Sequence, residues 1–351
     1  MAKKTGVKRF VPLFILLAGI LAIVIAIVAT PTKFYTNERD DGNYDLELSF
    51  VNRVSSKVKV PAEYDGKKVT SFLVEAYYND DTAFAKVKTI ILEEGLEEIN
   101  LNLLSTCPNL EKLELPSTIK AVYGTISNSV EVVVAEGAEV ELKTGCFINT
   151  KTMTVTGAQD YAEIPDGVKV IGDEAFSGAK LKTIKIPASV EHIGNSAFAG
   201  VEVEESVELT FGANLKYVGY SAFASVMTID KVTFATEIPL SESLFGSYKS
   251  NGATLKTIVI DKQPYVVESI NDEKLKRDSF TVSAANHTQP TYIYLKEGTI
   301  ILNNDGKISE LKYKQLEESD LEGYKKYTTA ENIDNKDAYY LLMYQSSTSD
   351  Y

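Results

Sequence analysis

The sequence predicts a repeat solenoid, a short strand-and-turn unit used many times, each copy burying its apolar edge against the next. Two observations predict it. The stretch VKVIGDEAFSG, Val168 to Gly178, returns as VEHIGNSAFAG, Val190 to Gly200, with the same glycine and phenylalanine in place. The recurrence then continues, because Phe176, Phe198, Phe223 and Phe245 follow one another at intervals of 22, 25 and 22 residues. That spacing lies in the roughly 20–29-residue range of short-repeat solenoids. A catalytic motif is needed once per site, whereas a packing unit is needed in every layer.

Composition permits a large core and narrows the function. The chain has 351 residues, 44% hydrophobic and 24% charged, the balance of an ordinary globular protein. Net charge is −13, and Lys3, Lys4, Lys8 and Arg9 hold four positive charges at the very start, so the rest sums to −17. A surface that acidic repels phosphate backbones, which argues against a nucleic-acid partner. Cys107, Cys146, His192 and His287 are the whole complement of thiols and imidazoles, with no CxxC or HxxxH spacing, so neither a metal nor a cofactor is expected. A Cys107–Cys146 disulfide is chemically possible outside the cytoplasm. Both residues fall at small, inward-facing repeat positions, which favours buried free thiols.

Taken in order, residues 1–10 are a basic, cytoplasmic segment. Residues 11–29, VPLFILLAGILAIVIAIVA, hold no charge. As a helix they span about 28 Å, close to the roughly 30 Å hydrocarbon core of a bilayer. The segment is either a single-pass transmembrane anchor or a signal peptide; it exceeds the usual apolar stretch of a secretory signal, and Val28-Ala29-Thr30 is a weak cleavage site. In both cases the positive cluster stays cytoplasmic and the remainder is exported, membrane-bound or, if cleaved, secreted. Residues 30–56 are a linker and capping hairpin: Tyr44, Leu46, Leu48 and Phe50 alternate with polar residues after an Asp-Gly-Asn turn. A cap is needed because the first repeat would otherwise expose its apolar end.

Residues 57–262 carry the repeats. Two aliphatic residues separated by one variable residue recur at Val58/Val60, Ile90/Leu92, Leu113/Leu115, Val132/Val134, Met153/Val155, Ile184/Ile186, Val207/Leu209, Val232/Phe234 and Ile258/Ile260. The 31-residue step from Met153 to Ile184 contains Ile164, 22 residues before Ile186, and signals an extra or distorted turn. Within one unit, Ile184 and Ile186 point inward and Thr183 and Lys185 outward, since strand side chains alternate. Pro187 ends pairing because it lacks an N–H. Val190 and Ile193 turn inward again, and Gly194 supplies either a positive φ or a close backbone approach. Ala197-Phe198 starts a short helical turn whose ring fills the gap between layers. Ile171, Gly172, Phe176, Ile184, Ile186, Pro187, Ile193, Gly194, Phe198 and Phe223 are therefore assigned to the scaffold. Residues 263–351 form a β-rich C-terminal cap or small domain, with a hairpin turn at Asn304-Asp305-Gly306 and a strand in KDAYYLLMYQ.

VKVPAEYDGKKVTSF, IPDGVKVIGDEAFSGAKLKTIKIPASVEHIGNSAFAG and LKYVGYSAF resemble the BspA-like leucine-rich repeats of bacterial surface proteins, whose units read aliphatic-x-aliphatic-Pro, then Ile-Gly, then Ala-Phe. The resemblance spans about Val58 to Ile260. It is strongest for Ile164 to Phe223, and Val130 to Thr156 and the stretch beyond Thr236 lack the Pro and Ile-Gly elements. It implies a leucine-rich-repeat solenoid with a curved parallel β-sheet and short helical or irregular convex segments, and a role in attachment and protein recognition.

No enzyme is expected. NNDGKISELK would place Ile301 and Lys312 where a calcium loop needs carboxylates, so it is a hairpin turn. His192 is read as a solvated loop residue, His287 lies in a polar loop without a Cys or Ser partner, and EEGLEEI (Glu93 to Ile99) is a solvated repeat turn. What remains is the outward row of the concave sheet: Ile91, Glu114, Val133, Thr154, Lys185, Glu208, Thr233 and Val259, flanked by Thr89, Lys112, Glu131 and Lys231 among others. Glu114, Glu131, Thr154, Lys185, Glu208, Lys231 and Thr233 are the candidate contacts to a protein or glycan partner, because such rows mix apolar, hydroxyl and charged groups with no single-sign patch. The expected function is membrane-anchored extracytoplasmic recognition or adhesion at the bacterial cell surface; the alternative is an envelope structural or assembly protein binding partners in its own membrane.

Overall fold

The computed structural model describes residues 55–72 and 84–235 with their side chains, a few further side chains such as Phe245 and Val259, and the backbone of strands between 34 and 48 and between 239 and 343. The 11–29 segment, His287 and the 304–306 turn lie outside the described residues. Among the described residues no helix is long and apolar enough to cross a membrane.

Each repeat contributes not one strand but two, to two different sheets. The proline-side sheet holds the aliphatic-x-aliphatic strands, and its first piece runs in parallel through Lys57–Val60, Thr89–Leu92, Lys112–Leu115 and Glu131–Val134. Alternation is clean in these strands. Val58, Val60, Ile90, Leu92, Leu113 and Leu115 are buried, and the residues between them face out. The glycine-side sheet holds the Ile-Gly strands. It runs without interruption from Lys67–Phe72 through Glu98–Asn100, Ala121–Ile126, Thr154–Gln159, Val170–Ile171, His192–Ile193, Tyr217–Val218, Pro239–Leu240 and Tyr265–Val267. At its N-terminal edge Phe34–Glu38 and Tyr44–Leu48 form an antiparallel hairpin whose second strand pairs with Lys67–Phe72, so the hairpin covers the end of this sheet.

Between the two strands of a unit the chain makes a tight turn, and the turns stack as a third ladder. The N–H groups of Glu174, Phe176 and Gly178 donate to the carbonyls of Asn195, Ala197 and Ala199 at 2.9, 2.8 and 2.9 Å; those of Ser196, Phe198 and Gly200 donate in the same way to Tyr220, Ala222 and Ala224. No helix forms at Ala197-Phe198, contrary to expectation. To aim alternate N–H groups at the next layer while turning, the backbone takes positive φ at Glu174 (55°), Ser196 (52°) and Ser221 (52°). Gly194 does not share that conformation. It is glycine for the other reason, close approach: a Cβ there would meet the Asp173 amide nitrogen at 2.5 Å and the Gly172 carbonyl carbon at 2.7 Å. Inside the turns the phenylalanines form a column, Phe176–Phe198 at 5.0 Å and Phe198–Phe223 at 5.2 Å between ring centroids, nearly parallel at 9° and 5°. All three rings are fully buried.

Two insertions break the rhythm, and both correct the sequence-based strand assignments. Val140–Lys143 and Cys146–Asn149 form an antiparallel hairpin around Thr144-Gly145, at φ 47° and 81°. Adjacent residues on its second strand face opposite ways, so Phe147 joins the N-terminal core and Cys146 the C-terminal core. Cys146–Asn149 then pairs antiparallel with Thr154–Gln159, so Met153/Val155 do not form a proline-side strand. Thr154–Gln159 lies in the glycine-side sheet, with Val155 opposite Ile171, and Thr154 leaves the predicted row.

The second insertion is three residues long. Leu181 pairs with Val203, yet Ile184 follows Leu181 by three positions and Leu209 follows Val203 by six. The counterparts of Ile184/Ile186 are thus Leu209/Phe211, paired with Val232/Phe234, and not Val207/Leu209. With three extra residues between Val203 and Leu209, Thr183–Pro187 forms no strand. The proline-side sheet resumes only at Glu208–Phe211, continuing through Thr228–Phe234, Thr254–Ile260 and Tyr292–Lys296. Parallel pairing therefore runs past residue 262 into the region expected to be a separate cap, where Tyr324–Thr329 and Tyr313–Gln315 then pair antiparallel. A strand also forms at Tyr340–Met343 within KDAYYLLMYQ.

Candidate binding face

The outward residues of the proline-side sheet fall into register-aligned rows. In the first piece Lys57, Thr89, Lys112 and Glu131 stand side by side, as do Lys59, Ile91, Glu114 and Val133. Lys112 reaches Glu114 at 3.1 Å, and this contact, then the charges of Glu114 and Glu131, raises its pKa. Lys88 reaches Glu111 at 2.6 Å on the neighbouring position. In the second piece the rows are Glu208, Lys231 and Thr257, and Thr210, Thr233 and Val259; Val259, expected to face outward, is instead buried at 4% exposure. Lys231 lies 3.9 Å from Glu208.

Of the predicted contacts, Glu114, Glu131, Lys231 and Thr233 stand on this face. Glu208 does too, but one row away from Thr233; the place beside Thr233 belongs to Thr210, which the sequence reading overlooked because it paired Val207 with Leu209. Thr154 is on the other sheet, its hydroxyl accepting from Thr152 at 2.9 Å. Lys185 is exposed on the unpaired segment between the two pieces. The scaffold residues Ile171, Phe176, Ile184, Ile193, Phe198 and Phe223 are buried. Ile186 is half-buried against the same core.

Where the sheet is interrupted there is a cavity of about 140 Å³, lined by Ala162, Ile164, Phe176, Leu181, Ile184 and Phe198, with Tyr161, Glu163, Lys182, Thr183 and Lys185 at its polar side. The Tyr161 hydroxyl donates to Glu204 at 2.9 Å, a bond between layers on either side of Lys182–Thr183 that raises the phenol's pKa. Sequence inspection missed this site. Its signal was the 25-residue step between Phe198 and Phe223 among steps of 22. A wider notch lies on the turn side, between the 3-10 turn Leu101–Thr106 and Ser177-Gly178, where two layers lack the Ala-Phe turn.

The glycine-side face carries an ion-pair chain. Glu191 is held by Lys169 at 2.9 Å and by Lys216, and these two contacts depress its pKa to about 2. His192 sits on a strand here, between Val170 and Tyr217, rather than in a solvated loop. Its buried Nδ1 has no hydrogen-bond partner, and burial, then the Lys216 charge, lowers its pKa. Cys107 and Cys146 are buried free thiols in the two separate cores, and burial pushes their pKa values up to about 11 and about 12. Glu94, in the predicted solvated turn, accepts from the Ser117 amide and hydroxyl at 3.0 and 2.8 Å. Among the described residues no three His, Cys, Asp or Glu side chains cluster as metal ligands do.

A family profile described as the BspA type leucine rich repeat region matches in six copies, over residues 77–166 and 141–273, more than half of the chain. The chain belongs to this family. No curated protein matches it. Solved structures similar to this BspA-type chain include a leucine rich cell surface protein from Faecalibacterium prausnitzii, 14% identical over 68% of this chain and 71% of the other, TM-score 0.35. A leucine-rich repeat protein from Bacteroides ovatus is 14% identical over 67% and 71%, TM-score 0.27. The pneumococcal vaccine antigen PcpA is 13% identical over 68% and 84%, TM-score 0.28. The matched residues hold most strands of both sheets and the whole turn stack. No enzyme family is indicated for this BspA-type solenoid.

Proposed function

We propose that this BspA-type solenoid is a membrane-anchored recognition protein of the bacterial cell surface that binds a protein, or a glycan on one, through the proline-side sheet. The observation that carries the reading is the contrast between positions. Scaffold positions repeat the same residue type from layer to layer, whereas the aligned outward positions change, Lys57 to Thr89 to Lys112 to Glu131 in one row. Packing has no use for that variation; a partner of mixed chemistry does. The rows alternate sign and hydroxyl character, which fits a protein surface better than a polyanion, and the net charge of −13 supports the same choice. The uncharged 11–29 segment behind four basic residues supports anchoring with the repeats outside.

Two measurements test this. Protease added to intact cells should remove the repeats while leaving an N-terminal stub, and protection of the whole chain would overturn the surface placement. The full chain in detergent should capture a saturable partner from matrix or envelope proteins, and reversing the paired charges at Lys112 and Glu131 together should weaken that capture at least about tenfold. Capture confined to proteins of the same membrane would instead favour an envelope-assembly role.

A further inference from the structure

The interruption of the proline-side sheet leaves Thr183–Ile186 outside every ladder, with burial that alternates as in a strand, Ile184 inward and Lys185 outward. Ile184 is 1% exposed, yet among the described residues no backbone hydrogen bond joins Thr183–Ile186 to the layer on either side. The one tie is a side-chain bond, the Thr183 hydroxyl donating to the Ser206 carbonyl at 2.8 Å. The flanking residues are tied normally, Lys182 accepting from the Glu205 amide and Lys180 from the Tyr161 amide, so the gap is local. Main-chain donors and acceptors held at a core edge need partners. An extended, unpaired segment is a template for another strand. Edges are commonly blunted by proline, yet here Pro187 stands just after the segment and none lies within it.

Beside this segment lies the cavity of about 140 Å³ described above, with an apolar floor of Ala162, Ile164, Phe176, Leu181 and Phe198. A dry cavity of about 150 Å³ takes up a benzene ring, so this one has room for a single aliphatic side chain. At the rim Lys182 and Lys185 stand with Glu163, while the floor that would receive a side chain is apolar. The site thus combines what strand addition requires: free main-chain groups for affinity and an apolar pocket for one side chain at the period of two.

We propose that Thr183–Ile186 is the acceptor for an extended peptide strand of a partner protein, which pairs with the main chain of these residues and seats an uncharged aliphatic side chain in the adjoining cavity. The inference rests on the recognition reading above and assigns the partner's contact as main-chain and apolar. The Tyr161–Glu204 bond holds the rim just before the three-residue insertion that opened the sheet.

The test uses the full chain in detergent with a fluorescein-labelled, capped heptapeptide of alternating threonine and leucine, and the same peptide N-methylated at alternate amides. The parent peptide should bind and slow hydrogen exchange at the Ile184–Ile186 amides by about tenfold or more, while N-methylation removes at least about tenfold of the affinity. Lys185→Pro deletes a donor without touching a buried side chain, and Ala162→Leu fills the cavity; each should weaken binding by about tenfold. Absence of binding, equal binding of the N-methylated peptide, or exchange at Ile184–Ile186 already as slow in the free chain as at Glu208–Phe211 would each overturn the proposal. A natural partner captured equally well by Lys185→Pro and Ala162→Leu would overturn this site and leave the recognition reading standing.

Discussion

The two sheets share one chain and one repeat, yet the glycine-side sheet runs through every layer from Lys67–Phe72 to Tyr265–Val267 while the proline-side sheet stops after Glu131–Val134 and resumes at Glu208–Phe211. The difference lies in how tightly each side fixes its register. On the glycine side successive backbones nearly touch: Gly194 packs against Gly172 and Asp173, and Gly219 packs against Gly194 and Asn195 with distances of 2.6 Å to a Cβ placed there. The Ala-Phe turns that follow are locked by a ladder of their own and by the ring column. A chain so held has no place for an extra residue. The three extra residues before Leu209 accordingly fall outside those turns, and the 140–149 hairpin joins the glycine-side sheet only as an antiparallel side branch on Thr154–Gln159; at both places the proline side loses its ladder.

The largest effect that would break the glycine side is loss of a ring from the middle of the column. Phe198→Ala removes the ring that, alone among the described residues, stacks on two parallel neighbours, and leaves a cavity that the turn ladder cannot close. The expected cost is about 3–5 kcal/mol in chemical unfolding. A smaller loss would mean that the column relaxes. Next comes a glycine pair that isolates close approach from propensity. Gly194→Ala places a methyl group against backbone atoms and should cost about 2–3 kcal/mol. Gly212→Ala, at the position equivalent to Pro187, meets nothing within 4 Å and should be neutral or stabilising by up to about 0.5–1 kcal/mol. Equal effects at the two sites would refute the difference in register control.

The sequence made much of this visible and hid the rest for identifiable reasons. Phe176, Phe198 and Phe223 were legible as core because their spacing repeats, and Ile184 and Ile193 because they alternate with polar residues. The second sheet was not legible, since Val170–Ile171 and His192–Ile193 are two-residue strands, too short to alternate, whose pairing depends on neighbours 22 residues away. The same brevity concealed His192 on a strand. Thr154 and Glu208 were misplaced because an aliphatic-x-aliphatic triplet fits either sheet, and local pattern cannot count inserted residues: Val207, Leu209 and Phe211 are all buried, and only the pairing of Phe211 with Phe234 selects the frame. The cavity at the interruption exists only in the relation between layers.

A proline scan sharpens the comparison within the proline-side sheet itself. Thr233 lies in a central strand, paired on one side with Thr210 and on the other with Val259, so Thr233→Pro removes a ladder donor whichever way its N–H points. It should cost about 2 kcal/mol or more. Lys185→Pro removes a donor with no backbone partner from a segment outside every ladder, and should change stability by less than about 1 kcal/mol, measured on the same unfolding curve.

The smallest effect belongs to the outer face of the glycine-side sheet, where Glu191 is clasped by Lys169 and Lys216. Hydrogen bonds from the two lysines hold its pKa at about 2, below the ordinary 4.5. A carboxylate whose pKa is lower in the folded than in the unfolded chain stabilises fully above the unfolded value and ceases to do so as pH falls through the folded one. The Glu191 contribution is therefore complete above about pH 4.5 and disappears towards about pH 2. The site is exposed and screened by salt, so the slope is shallow. Thermal unfolding followed from pH 6 to pH 2 should show Glu191→Gln converging with the wild type at the acid end and falling slightly below it at pH 6, with the gap narrowing in 1 M salt. A gap that widens as pH falls would place the acid-sensitive charge elsewhere on the solenoid.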